Sequence, residues 1–401
     1  MNENLGPCSY ENWKAALSDK VSHDGYEVPL FTDAHVTGEI LEGFGPYQFL
    51  NPLASPRSAD SITPGVILRV ERYPEISSPS SVELGRTNDT RYHGGLLHDE
   101  IAALSSLILG VKFKSGGITR EFYPNKDPRG TPVHYLMNRD PILLCSDGKP
   151  IIPEARSQIL LDDLDRLLTY PTLTPEDAII LVRASRIYQD ALWMAESEPE
   201  LAWIMFVSAI ETAANHWRKV QSTPVEKLHT SMPELERLLG EQGVPNLVEK
   251  VAELLTPYTG ATRKFIDFVL EFLPPEPRNR PRTGKHPWEK EKMRKTLGQV
   301  YDYRSKALHG SGKFPAPMCM PPFNDGSGYG EVPPGLATSA QGGVWVKKDS
   351  PILLHTFEYI VRGVLLNWWA SLIPEASVKS DVGELREISS DNVRKNDLQI
   401  S

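Results

Sequence analysis

Proline and glycine divide this chain, and that division constrains the fold more than any other feature. Residues 1–153 hold 14 Pro and 14 Gly, whereas residues 154–272 hold 7 Pro and 3 Gly. Proline lacks a backbone donor and glycine is conformationally permissive, so both interrupt regular elements. Residues 1–153 are therefore expected to form an α+β module of short strands and turns. Residues 154–373 are expected to form an all-α bundle, which makes the chain predominantly helical. Within the bundle, residues 310–343 hold 14 Pro or Gly in 34 positions. That predicts a long loop, 310–350, of a length usually tied to binding surfaces, lids or disorder. A polar tail, 374–401, follows.

Hydrophobic spacing supplies the elements. Val66-Ile67-Leu68-Arg69-Val70, between Pro64-Gly65 and Pro74, predicts a strand. So do Tyr47 to Leu50 and the stretch around Ile142, Leu143 and Leu144. Apolar residues at 97, 101, 104 and 108 have helical spacing, and Gly110 ends that helix. Ile159, Leu160, Leu164, Leu167 and Leu168 predict one helical stripe. Pro175 after Thr174 opens a helix to about 197. Pro199 opens another through 217, with Leu201, Ile204, Met205, Ser208, Ile210 and Ala214 inside. Shorter helices are expected at 233–240, 245–256 and 261–272. A long helix spans about 287–309 with Met293, Leu297, Val300, Tyr301 and Leu308 as its apolar side, and a last one spans 351–373.

Composition narrows the functional class. With 401 residues, 40% hydrophobic and 24% charged, the chain is globular. A net charge of -9 opposes a protein that coats nucleic acid over its whole surface, while leaving room for a local basic patch. Cys8, Cys145 and Cys319 are too few and too scattered for a disulfide framework, which fits a reducing, cytoplasmic setting. MNENLGPCSYENWK lacks the apolar core of a secretory signal, and the apolar run at 361–373 is too short and polar to span a bilayer. No membrane partner is expected.

Familiar catalytic signatures are missing. The sequence has no phosphate-binding G-x-x-x-x-G-K-[ST] loop, no G-x-G-x-x-G, no G-x-S-x-G, no C-x-x-C and no H-E-x-x-H. His93 and His98, with Asp99 and Glu100, can be imagined as a metal site, but a spacing of five on a helix places them poorly. Asp162, Asp163 and Asp165 read as a solvated face. No metal and no cofactor is expected.

The end of the long helix is different: Arg304-Ser305-Lys306-Ala307-Leu308-His309, then Gly310. Five helical steps put Arg304 and His309 roughly 140° apart around the axis and about 7.5 Å along it. Arg is permanently charged and forks onto phosphate oxygens; His titrates near neutrality and moves protons. Against RNA the pair suffices, because the ribose 2′-OH can attack its own phosphate and leave a 2′,3′-cyclic phosphate. The bland reading is that Arg and His near a helix C-terminus simply complement its dipole. Charge distribution speaks for the sharper one: residues 262–313 carry 13 Lys/Arg against 6 Asp/Glu. Arg278, Arg280, Arg282 and Lys285 lead into the helix as an expected RNA-backbone surface.

These residues resemble a family. R-S-K-A-L-H at 304–309 is similar to the R-x4-6-H signature of HEPN domains (higher eukaryotes and prokaryotes nucleotide-binding), in their Apea-like bacterial branch. The blocks RASRIYQDALWMAESEPELAWIMFVSAIETAANHW at 183–217, PAPMC at 315–319 and LHTFEYIVRGVLLNWW at 354–369 carry the likeness over about 175–373. The resemblance implies a helical bundle, commonly homodimeric, with metal-independent endoribonuclease activity in toxin or anti-phage defence, on RNA such as tRNA. Arg304 would hold the scissile phosphate and His309 would act as general acid and base. Glu211 matches an acidic position near the cleft, Asn215 would help order it, and Ser305 and Lys306 flank the pair. Ser305 stands where many active members have Asn, Asp or His, and Ser311 excludes the R-x4-H-x-Y form silenced by nucleotidyltransferases. The first 153 residues would, by analogy, meet a trigger or regulatory protein or select the RNA. A catalytically degenerate RNA- or nucleotide-binding module is the alternative.

Overall fold

The computed structural model describes residues 5–18, 22, 24–51, 63–73, 87, 89, 91–123, 128–133, 141, 149–217, 223–255 and 260–374. The expected strand at 142–144, Cys145 and the tail from 375 lie outside them.

A helix unmarked by the sequence reading, α1 (Cys8–Ala16), precedes an antiparallel sheet. Its central strand β1 (Asp24–Thr32) pairs with β4 (Thr63–Arg72), and β4 pairs with β3 (Tyr47–Leu50). Strands β5 (Lys114–Ser115) and β6 (Arg120–Phe122) join the other edge of β1, and β7 (Thr131–Pro132) joins β6. Period-two alternation turns Val66, Leu68 and Val70 inward, opposite Tyr26, Val28 and Leu30 of β1. The helix α2 (Leu97–Leu109) is buried on nearly every side, with the polar His98, Glu100, Ser105 and Ser106 enclosed along with its apolar residues. Ile101, Leu104 and Ile108 are buried as their spacing requires, and His98 reaches Tyr26 of β1.

One expected helix is corrected. Instead of a helical stripe at 159–168, the chain makes a short strand, β8 (Gln158–Leu160), parallel to β2 (His35–Thr37), and then a 3-10 segment Leu161–Thr172. The reason is legible in the burial: Leu161, Leu164, Leu167 and Tyr170 are all wholly enclosed, a period of three, matching the three residues per turn of a 3-10 helix. Asp162, Asp163 and Asp165 are solvated as expected. Residue 153 thus marks no break in packing, since β8 belongs with β2 and one hydrophobic core runs from Tyr10 to Trp369.

Helices dominate the rest. Thr174 Oγ1 accepts from the Asp177 amide to cap α3 (Pro175–Met194), which packs against α4 (Pro199–Trp217). In α4 the buried stripe is Trp203, Phe206, Val207, Ile210 and Ala214, with Ala202, Ala209 and Ala213. The expected inward set was rotated: Leu201 is 41% exposed and Ile204, Met205 and Ser208 are half-buried. Small helices α5 (Pro224–Ser231), α6 (Pro233–Glu241) and α7 (Leu247–Leu255) lead to α8 (Ala261–Glu271), α9 (Lys290–Leu308) and α10 (Leu354–Leu372). Between the last two, the Pro/Gly-rich loop carries a hairpin, β9 (Ala337–Ala340) with β10 (Gly343–Val346). It is anchored where Phe314 stacks on Trp203 at 5.2 Å, with Phe357 stacked on the same indole at 4.6 Å. Among the described residues no helix is long and apolar enough to cross a membrane.

Candidate functional site

Helix α9 buries Met293, Leu297, Val300 and Tyr301 as expected, while Leu308 is half exposed. Its end is a Schellman motif: the Ser311 amide donates to the Lys306 carbonyl at 3.0 Å and the Gly310 amide to Ala307 at 3.3 Å. This closure needs the left-handed backbone of Gly310 (φ 67), which glycine adopts without strain. His309 is left as the terminal residue, exposed, and its imidazole has no partner among the described residues.

Arg304 turns the other way, toward α4. Its Nη2 donates to Glu211 Oε2 at 2.5 Å, and Glu211 Oε1 accepts the Tyr301 hydroxyl at 2.7 Å. The guanidinium also lies 5.6 Å from the Tyr301 ring centroid. Both charged side chains are about four-fifths enclosed, at 21% and 19% exposure. Burial, reinforced by the Glu211 carboxylate, raises the Tyr301 phenol well above its usual range, so it stays a donor. Arg304 Nε has no hydrogen-bond partner. Arg304 and Glu211 therefore come together. No hydrogen bond joins Arg304 to His309, which occupies the next turn.

Tyr301 was not singled out from the sequence as a site residue. The available signal was its place three residues before Arg304, on the same helical face. It orders Glu211, the role expected of Asn215. Asn215 is exposed and instead accepts from Lys264 Nζ at 3.2 Å. Ser305 is half-buried, and Lys306 is exposed with its ammonium 5.8 Å from the Tyr303 ring.

Residues 278–285 precede the first turn of α9, and the chain then folds back along that helix, where His286 Nε2 meets Thr296 Oγ1 at 2.8 Å. Arg280 is also committed elsewhere, forking onto Glu331 at 2.7 and 2.6 Å and pairing with Glu276 at 2.6 Å. Arg278, Arg282 and Lys285 are exposed without an ion-pair partner among the described residues.

His93 and His98 also part. His93 Nε2 contacts Glu100 Oε1 at 2.6 Å, His98 Nδ1 meets the Tyr26 hydroxyl at 3.3 Å, and Asp99 accepts from the Leu96 amide at the start of α2. Among the described residues no group of three or more His, Cys, Asp or Glu is placed to hold a metal ion.

A second polar centre was not foreseen. A cleft of about 660 Å³ lies between the C-terminal end of α2, the first turns of α10 and the loops at 277–279 and 324–331. Glu358 lies in its wall, 4% exposed, accepting the Tyr188 hydroxyl at 2.5 Å. Burial pushes this carboxyl up to about 7, against the pull of Arg362 and of the Tyr188 hydrogen bond. The native state thus holds a proton that an unfolded glutamate, with its ordinary value of 4.5, releases earlier. The resulting stability is complete below about pH 4.5 and is lost as pH rises through about 7. Denaturant unfolding should therefore lose on the order of 3 kcal/mol across that window from this group. Glu358→Gln, neutral throughout, should flatten the slope; an unchanged slope would show that Glu358 titrates normally.

No protein-family model matches the chain, and neither the curated proteins nor the solved structures contain a match.

Proposed function

We propose that the chain is a metal-independent endoribonuclease in which Arg304 and His309 act on one phosphodiester. The observation that carries this reading is the Glu211–Arg304 pair, with Tyr301 as its brace, one turn before an exposed and unpartnered imidazole. A guanidinium held by a carboxylate is pre-oriented, and the 21% of the Arg304 side chain that stays exposed is what can meet a phosphate oxygen. His309, free of partners, takes the proton from the 2′-OH and returns one to the departing 5′-oxygen. The 2′-oxygen bonds to phosphorus as the P–O5′ bond breaks, giving a 2′,3′-cyclic phosphate and a 5′-hydroxyl.

Half-exposed Leu308 beside His309 gives this helix end an apolar contact for a second copy, consistent with a homodimer that composes the cleft from two such ends. The resemblance to Apea-like HEPN proteins supplies the wider reading of a cytoplasmic toxin or anti-phage effector on RNA such as tRNA. The first 153 residues would then receive the trigger. Arg278, Arg282 and Lys285, exposed on the segment before α9, would meet other phosphates of the same RNA.

The test is incubation of purified protein with tRNA and single-stranded RNA in EDTA, followed by end analysis. Cyclic-phosphate termini are expected; intact RNA under all conditions would refute the activity. A non-catalytic RNA-binding module is favoured by one observation, that Glu211 already balances the Arg304 charge. That module would show salt-sensitive binding without product ends.

A further inference from the structure

The cleft beside α10 is built independently of the Arg304–His309 end. Its walls are locked together: Arg280 on one loop forks onto Glu331 of the other, and its Nη2 also donates to the His286 carbonyl at 2.6 Å. Gly328 presses so closely on the neighbouring segment that a Cβ there would lie 2.8 Å from backbone atoms of Asn279 and Arg280. These contacts brace the walls against one another, which lowers the entropy lost when a ligand enters. At about 660 Å³ its size falls among small-molecule sites, which run to roughly 300–1,000 Å³.

Its chemistry is specific. His355, 6% exposed, donates from Nε2 to the Gly330 carbonyl at 2.8 Å and faces Glu154 at 3.5 Å through Nδ1. Burial disfavours charge on this ring, but Glu154 and the Gly330 carbonyl outweigh it and raise its pKa. Glu154 is thereby matched by His355, and Glu331 by Arg280. Arg362 grips the last carbonyls of α2, Leu107 at 3.1 Å and Ile108 at 2.5 Å, so its charge is hydrogen-bonded without a carboxylate partner. Arg278 stands exposed at the rim. Arg278 and Arg362 are thus the cleft's cations left without a short ion pair among the described residues. Aromatic surface comes from Tyr329, edge-on to His355 at 6.2 Å, and Tyr359, whose hydroxyl is fixed on the Pro275 carbonyl at 3.0 Å. Asn279 and Asn324 add polar edges.

From this conjunction of a braced cavity, two guanidinium groups without a short ion pair, aromatic walls and amide edges, we infer that the cleft binds a nucleoside monophosphate unit. The phosphate meets Arg278 and Arg362, and the base packs beside the tyrosines. Such a unit comes either as a free mononucleotide or as the phosphorylated end of an RNA. The inference rests on the cleft alone and survives a failure of the ribonuclease reading.

Isothermal titration calorimetry tests it, using the full chain with His309→Ala so that RNA stays intact. The probes are AMP, GMP, CMP, UMP, inorganic phosphate, and one RNA oligomer with either a 5′-phosphate or a 5′-hydroxyl. Saturable binding of at least one mononucleotide below about 1 mM is expected, with a matching rise in melting temperature. Arg278→Glu should weaken it at least tenfold, and Asn279→Trp, at an exposed position, should block it. Saturation by the phosphorylated oligomer alone, with the same sensitivity to both variants, would assign the unit to an RNA end. Phosphate binding as tightly as every nucleotide, an absence of saturation, or indifference to both variants would overturn the inference.

Discussion

His309→Ala should reduce RNA cleavage at least about 100-fold, the low end of what a positioned general acid–base group contributes. The imidazole is exposed and has no partner among the described residues, so its removal leaves the bundle unchanged in unfolding midpoint. Arg304→Ala should abolish cleavage comparably, but with a structural penalty, because it strands Glu211 at 19% exposure beside Tyr301. Arg304→Lys separates the two effects: it keeps the charge near Glu211 and loses the fork. Glu211→Gln probes positioning; it should lower kcat while leaving RNA affinity unchanged, since Glu211 acts through Arg304. Cleavage persisting at full rate in both His309→Ala and Arg304→Ala would remove these residues from the chemistry.

Lys112→Ala should destabilise the protein by roughly 3–5 kcal/mol, the range for removing one member of a buried ion pair. Lys112 is fully enclosed and donates to Asp33 at 2.8 Å, with Glu196, equally enclosed, at 3.9 Å. Arg156 supports Asp33 at 3.0 Å, but among the described residues Glu196 keeps only the Ile151 amide. Without the ammonium, Glu196 becomes a buried charge with no cation beside it. Denaturant unfolding reads the loss as a lower midpoint, and adding Glu196→Gln to Lys112→Ala should recover part of it. A loss below about 1 kcal/mol would mean that water reaches these groups on relaxation.

Where one physical signal dominated, the sequence was sufficient. Pro175 and Pro199 open helices, Gly110 and Gly310 end them, and Val66, Leu68 and Val70 alternate into the core. The 3-10 segment at 161–172 was misread because apolar residues three apart also satisfy a helical pattern locally. Helix α1 was missed because its buried residues include Ser9 and Asn12, which are enclosed through hydrogen bonds rather than apolarity. At the candidate site, Arg304, His309 and Glu211 were legible as residue types, whereas the brace by Tyr301 required a choice of side-chain direction. The cleft was illegible for a different reason. Its groups come from five separate stretches, and only the fold gives Glu358 and His355 their altered proton affinities.

The unbroken core has a mechanical corollary. Helix α3 is covered on one flank by α2 and on another by α4, and Lys112 ties the exit of α2 to the turn after α3. A fragment starting at 154 would bare the flank that α2 shields and lose the partner of Glu196, and should precipitate. Among the described residues, a displacement of α2 would therefore bear directly on α3 and, through it, on α4, the helix that holds Glu211 against Arg304.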